Sequence, residues 1–188
     1  MTDREELKKS IEGIAYGYLI LHFDINLGVL NLLSDWLGYI AIVHVLDVLG
    51  EEEPSENLLK PLGYLLIVSE VWDSILNFGG AAKFSNYGLA AIIGAVSLYF
   101  HFQLLTNLAA IAEKYEYSKH QNLLKLRTVR TLLLTLMTMP LPWEKYSMVT
   151  AGLAIVGIIV GIWICIELFG LKRHILEDST DNRLENEE

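Results

Sequence analysis

Tyr146-Ser-Met-Val-Thr-Ala-Gly-Leu-Ala-Ile-Val-Gly-Ile-Ile-Val-Gly-Ile-Trp-Ile-Cys-Ile166 decides the surroundings in which this chain folds, because it holds no charged residue. A helix needs about 20 apolar residues to cross a hydrocarbon layer roughly 30 Å thick. A helix on the surface of a water-soluble domain turns a polar face outward about every 3.6 residues, and this run has none. It reads as a membrane span, so the other helices are read with lipid as their solvent.

Composition agrees. The chain has 188 residues, of which 53% are hydrophobic and 20% charged, enough for one bundle and no second sizeable domain. Its net charge of −9 is concentrated. Glu177, Asp178, Asp181, Glu185, Glu187 and Glu188 oppose a lone Arg183 near the C-terminus, and Glu51, Glu52, Glu53 and Glu56 form a second acidic cluster. Neither suits nucleic acid, whose phosphates require a basic surface. We expect residues 1–176 to form one transmembrane helical domain and 177–188 an acidic, disordered cytoplasmic tail. Cys165 is the single cysteine, so no intrachain disulfide can form. No A-x-A-like cleavage site follows the N-terminal charges, so the first apolar run is taken as an uncleaved span.

The expected fold is all-α, an integral membrane bundle of about six transmembrane helices. Helix 1 is predicted over about Glu5 to Phe23, with Gly13 and Gly17 spaced for close approach of a neighbour. Residues 24–35, punctuated by Asn26, Gly28 and Asn31, read as a connection at membrane level, with re-entry left open. Helix 2 starts at Ser34 or Asp35 and ends near Gly50, and helix 3 runs from about Pro61 to Phe78. Helix 4 covers about Asn86 to Tyr115. Helix 5 is short, with Lys125, Arg127 and Arg130 preceding its apolar core and Pro140 and Pro142 stopping it; snorkelling is expected of its basic side chains. Helix 6 continues to about Leu171. Lys and Arg favour the cytoplasmic side. With both ends inside, the six-span arrangement puts only Lys83 and Lys145 of the 14 basic residues outside.

Ionisable residues within spans are functional candidates by default. At about 1.5 Å per residue, His22, His44, Glu70 and His101 all fall near the midplane, on four different helices. Asp24, Asp47, Asp73 and Gln103 lie close to them along the chain. His44 with Asp47, and Glu70 with Asp73, share a helix face at a spacing of three. The candidate solute- or ion-binding residues are therefore His22, His44, Asp47, Glu70, Asp73 and His101. Three readings stay open: mutual bonding that holds helices together, a site for a small polar solute or a proton with Glu70 titrating, and a metal site of imidazole and carboxylate ligands. No His-Glu-x-x-His motif, nucleophile elbow or phosphate loop is present. No catalytic residue and no cofactor is expected, and the chain is not expected to be an enzyme. Gly157-x-x-x-Gly161 and Ala91-x-x-x-Ala95 read as close-packing faces, and Glu167 as a solvated residue near the inner interface.

Over Ile25-Asn-Leu-Gly-Val-Leu-Asn-Leu-Leu-Ser-Asp-Trp-Leu-Gly-Tyr-Ile40 the chain resembles a group of small bacterial polytopic membrane proteins of unassigned function. The resemblance covers residues 10–50, implies the bacterial cytoplasmic membrane, and carries no active residues over. In size and span number the chain is also similar to substrate-binding subunits of energy-coupling factor transporters. Those carry A-x-x-x-A on the first helix, where Gly13-x-x-x-Gly17 stands here.

The expected function is binding or translocation of a small polar solute or ion through a midplane polar centre. The alternative is a non-catalytic accessory subunit of a larger membrane complex. The expected partners are the lipid bilayer, the solute and, for the alternative, another membrane subunit.

Overall fold

A computed structural model describes residues 4–22, 26–27, 30–31, 35–78, 87–139 and 143–184. Six helices form: α1 (Arg4–His22), α2 (Asp35–Glu52), α3 (Leu59–Phe78), α4 (Tyr87–Lys114), α5 (His120–Thr138) and α6 (Ser147–Leu184). The all-α expectation holds, with boundaries close to those read from sequence. One difference is α6, whose backbone stays helical to Leu184, past the expected end near Leu171. The expected membrane-level connection over 24–35 falls mostly outside the described residues. Within it, β1 (Asn26–Leu27) pairs antiparallel with β2 (Leu30–Asn31), in the register Asn26 to Asn31 and Leu27 to Leu30.

Among the described residues two helices are long and apolar enough to cross a membrane, through Gly88–Lys114 of α4 and Ser147–Leu176 of α6. The others mix charge into shorter apolar runs: Glu5, Glu6, Lys8, Lys9 and Glu12 in α1, and Lys125, Arg127 and Arg130 in α5. Six crossings therefore rest on arguments other than length and composition.

Each helix packs on its neighbours in sequence, and α6 packs back on α1, which closes the six into a ring. Side-chain pairs give the directions. Along α1 and α6, Glu12 pairs with Lys172, Cys165 Sγ donates to Ala15 O, and Gly161 lies against the His22 ring, so the two run antiparallel. Between α4 and α5, Thr106 meets Arg127 and Gly94 meets Thr138, again antiparallel. Between α5 and α6, Asn122 near the start of α5 reaches Glu167. Tyr117, just past α4, reaches the same Glu167, and His174 meets the Tyr115 carbonyl. The C-terminal ends of α4 and α6 thus lie together, so α4 and α6 are parallel.

Backbone details hold the ring closed. A Cβ on Gly17 would lie 2.9 Å from the Gly38 carbonyl oxygen, so α1 and α2 touch through two glycines, as small-residue helix pairs do. After α4, Glu116 adopts φ 55°, Glu116 N donates to Glu113 O at 3.0 Å and Tyr117 N to Ala112 O at 2.8 Å. This is a Schellman cap with glutamate where glycine is usual, and it turns Tyr117 back onto α6.

Large apolar side chains face outward as well as inward. Met148 is 90% exposed and Val68 66% exposed, and Trp72, Ile75, Ile92, Leu132, Ile159 and Ile166 also face outward. The interior holds Tyr18, Tyr39, Phe100 and His101 together.

Candidate functional site

His101, on the inner face of α4, is 2% exposed. Its Nδ1 lies 3.3 Å from Tyr18 Oη on α1 and its Nε2 lies 3.3 Å from Tyr39 Oη on α2. Tyr39 Oη continues to Ser97 Oγ at 3.2 Å, and Ser97 sits one turn before His101, on the same face of α4. The Tyr18 and Tyr39 rings are 5.5 and 5.8 Å from the imidazole, and Phe100 meets it edge-on at 5.5 Å. A neutral imidazole offers one donor and one acceptor. The chain Ser97, Tyr39, His101, Tyr18 can therefore run in either of two directions, and a change of tautomer at His101 reverses every hydroxyl along it. Such a chain can accept a proton at one end and release another at the far end.

Tyr18 also connects this chain to a cationic pair. His22, one turn further along α1, has Nδ1 2.7 Å from the Tyr18 backbone oxygen. A carbonyl only accepts, so Nδ1 donates and Nε2 is left to accept from Arg130 Nη1 at 2.6 Å. The guanidinium lies 5.2 Å from the Tyr18 ring centroid, a cation–π distance. Gly161 on α6 permits this arrangement, because a Cβ there would run into the His22 ring. Arg130 Nε is buried without a hydrogen-bond partner among the described residues. Among the described residues no carboxylate forms an ion pair with Arg130. A cavity of about 290 Å³ adjoins the pair, with His22 and Arg130 as its polar wall and α5 and α6 as its apolar walls.

The six sequence candidates separate. His22 and His101 join through Tyr18. Glu70 is half-buried on α3, and its charge reaches Tyr39. Asp73, one turn on, is also half-buried, with Oδ1 unpartnered among the described residues. His44 and Asp47 do share a face of α2, but it is the exposed one, where Asp47 pairs with Lys60. Asp24 lies outside the described residues. Among the described residues no group of three His, Cys, Asp or Glu is placed to hold a metal ion.

Sequence reading missed Tyr18, Tyr39, Ser97 and Arg130. The tyrosines pass for ordinary apolar aromatics along the chain. Arg130 follows a basic cluster that suggests snorkelling, yet it turns inward to His22. One weak signal existed: Tyr18 and His22 lie four apart, so they share a helix face.

Two polar clusters flank the centre at the end where α4 and α6 terminate. Glu167, expected to be solvated, is 4% exposed and accepts from Tyr117 Oη at 3.2 Å, Asn122 Nδ2 at 2.9 Å and Trp163 Nε1 at 3.2 Å. Burial and the Glu167 charge push the Tyr117 hydroxyl up to about 12. Glu56, in the 3-10 turn Pro54–Leu58, has no exposed surface, and neither carboxyl oxygen completes a hydrogen bond among the described residues. Burial pushes its carboxyl up to about 8; the Asn107 amide draws it down and the Glu53 charge adds to the rise.

Comparison with protein-family models, curated proteins and solved structures finds no match.

Proposed function

We propose that this chain is a six-span integral membrane protein of the bacterial cytoplasmic membrane, with both ends cytoplasmic, that binds or translocates a small polar solute or ion at the polar centre. Two parallel helices joined through a third cannot both cross a bilayer unless the third returns. The parallel course of α4 and α6 therefore supports a crossing by α5 despite its three basic residues. Antiparallel pairing of α1 with α2, where Gly13 meets Val45 and Gly17 meets Gly38, and of α2 with α3, where Asp47 meets Lys60 and Val43 meets Gly63, supports crossings by α1, α2 and α3. Outward-facing Val68, Trp72, Ile75 and Leu132 suit lipid, since soluble monomers rarely expose large contiguous apolar patches. The lopsided distribution of lysine and arginine supports the orientation.

The observation that carries the functional reading is the chain from Ser97 through Tyr39 and His101 to Tyr18, coupled to His22 and Arg130. Polar groups at membrane depth are expensive, and where they line up they commonly mark ion or proton routes. The reading is tested by thermal-shift screening of purified protein against monovalent ions, small anions and small polar solutes. A ligand that binds the folded state raises the unfolding midpoint. At least one compound should stabilise wild type and lose most of that effect in both His101→Phe and Arg130→Met. Equal responses in wild type and both variants would reduce the centre to packing and favour the accessory-subunit alternative.

A further inference from the structure

Arg130 stands about 15 Å along α5 from His120, at about 1.5 Å per residue, and α5 contains no aspartate or glutamate from His120 to Thr138. Among the described residues its neighbours satisfy it only with neutral groups. Nη1 donates to an imidazole nitrogen, the ring of Tyr18 lies beneath the guanidinium, and Nε has no partner among the described residues. A guanidinium stays charged at every accessible pH. A buried charge without an opposite charge is costly, so an anion entering beside Arg130 gains far more than one in water would.

The adjoining cavity describes the rest of that anion. At about 290 Å³ it sits at the lower end of the roughly 300–1,000 Å³ typical of ligand sites. Beyond His22 and Arg130, its walls are apolar side chains such as Leu133 and Met137 of α5 and Leu153 and Ile158 of α6. Gly157 belongs to the wall as well, and a Cβ there would meet nothing within 4 Å. Gly161, one turn on, is filled by the His22 ring. The Gly157-x-x-x-Gly161 pair thus splits its roles: Gly161 seats the histidine and Gly157 leaves space. Met137 and Ile158 are also partly exposed, so the cavity opens to the surface between α5 and α6.

We infer that this cavity binds a small amphiphilic anion, whose carboxylate or phosphate pairs with Arg130 while its short hydrocarbon body lies between α5 and α6. This rests on the reading of the polar centre as a ligand site and names the ligand class. A carboxylate meets a guanidinium with charge-assisted, often bidentate bonds, and the apolar walls select against fully hydrated anions. The route of entry is the lipid, through the α5–α6 gap.

The test is equilibrium binding of radiolabelled decanoate to the full-length protein in nanodiscs, with protein-free nanodiscs subtracted. Decanol, decyltrimethylammonium and chloride serve as competitors. Wild type should bind decanoate saturably, with the three competitors at least about tenfold weaker. Arg130→Met should weaken decanoate about tenfold or more, and Arg130→Lys less. Gly157→Leu should weaken it by filling the cavity with Arg130 untouched. Gly152→Leu, on the same helix and also open at its Cβ, should not. Unfolding midpoints identify any variant that fails to fold, and Gly157→Leu keeps the test alive if Arg130→Met does. Asp24→Asn should leave binding unchanged; a gain of about tenfold would mean that Asp24 already serves as the counter-ion, and would overturn the inference. Equal binding by wild type, Arg130→Met and Gly157→Leu would overturn it as well. Stabilisation by a cation or neutral solute that depends on His101, with no saturable decanoate binding, would overturn the anion while leaving the polar-centre reading in place.

Discussion

Glu56→Gln probes the connection between α2 and α3, where a carboxyl is fully buried and lacks a hydrogen bond among the described residues. Its folded-state value is pushed up to about 8 from an ordinary 4.5. The folded chain therefore holds a proton on Glu56 between those limits, while the unfolded chain has released it. Stability from this group is fully present below pH 4.5, declines as pH rises towards about 8, and is flat above. At about 1.4 kcal/mol per pH unit, the gap sets a ceiling of about 5 kcal/mol. For a chain of this size that corresponds to a fall of about 10 °C or more in the unfolding midpoint. Glutamine keeps the shape of the protonated acid and cannot ionise. Wild type and Glu56→Gln should therefore have similar midpoints near pH 5, diverge steadily from there to about pH 8 and stay apart by a constant amount above it, with wild type the less stable. The assay is thermal unfolding in a neutral detergent at half-unit steps from pH 5 to 9. A parallel fall in both proteins would refute the assignment of the pH dependence to Glu56.

Other substitutions test the packing directly. Tyr39→Phe removes a hydroxyl shared by His101 Nε2 and Ser97 Oγ, and leaving those groups unpaired should cost about 1–3 kcal/mol in unfolding experiments. Gly17→Ala should destabilise by about 1–3 kcal/mol, because its methyl would press on the Gly38 carbonyl and Ile42. Gly157→Ala, which meets nothing, should be neutral or stabilising by up to about 1 kcal/mol, so equal losses at Gly17 and Gly157 would contradict the helix pairing. Glu116→Gly should stabilise by about 1 kcal/mol by relieving the left-handed backbone at the end of α4.

Helices were legible wherever one local signal sufficed. The uncharged run in α6 and the glycine and proline punctuation placed six helices close to their observed ends, except at the C-terminal end of α6, which continues to Leu184 past the expected Leu171. His22 and His101 were marked from spacing alone, and they do meet the same tyrosine. Azimuth was not legible. His44 and Asp47 share a face at the expected spacing, yet α2 turns that face outward, a choice made by its packing against α1 through Gly38 and Ile42. The partners that complete the centre were hidden for a different reason. Tyr18 and Tyr39 become polar only when a hydroxyl finds a mate on another helix, at sequence separations of 83 and 62 residues. Arg130 was misread because snorkelling is a property of isolated helices, whereas here Tyr18 and His22 offer it an inward seat. Glu167 was misread in the same way, since its three donors come from α5, α6 and the turn after α4.

Everything proposed for the centre depends on α5 crossing the bilayer. The direct measurement is labelling of intact cells with a membrane-impermeant maleimide in a Cys165→Ser background, comparing Lys119→Cys before α5 with Lys145→Cys after it. Six spans predict that Lys145→Cys is labelled from outside and that Lys119→Cys is labelled only after the membrane is opened. Labelling of both positions in intact cells, or of neither until the membrane is opened, would place the two ends of α5 on one side and contradict the account.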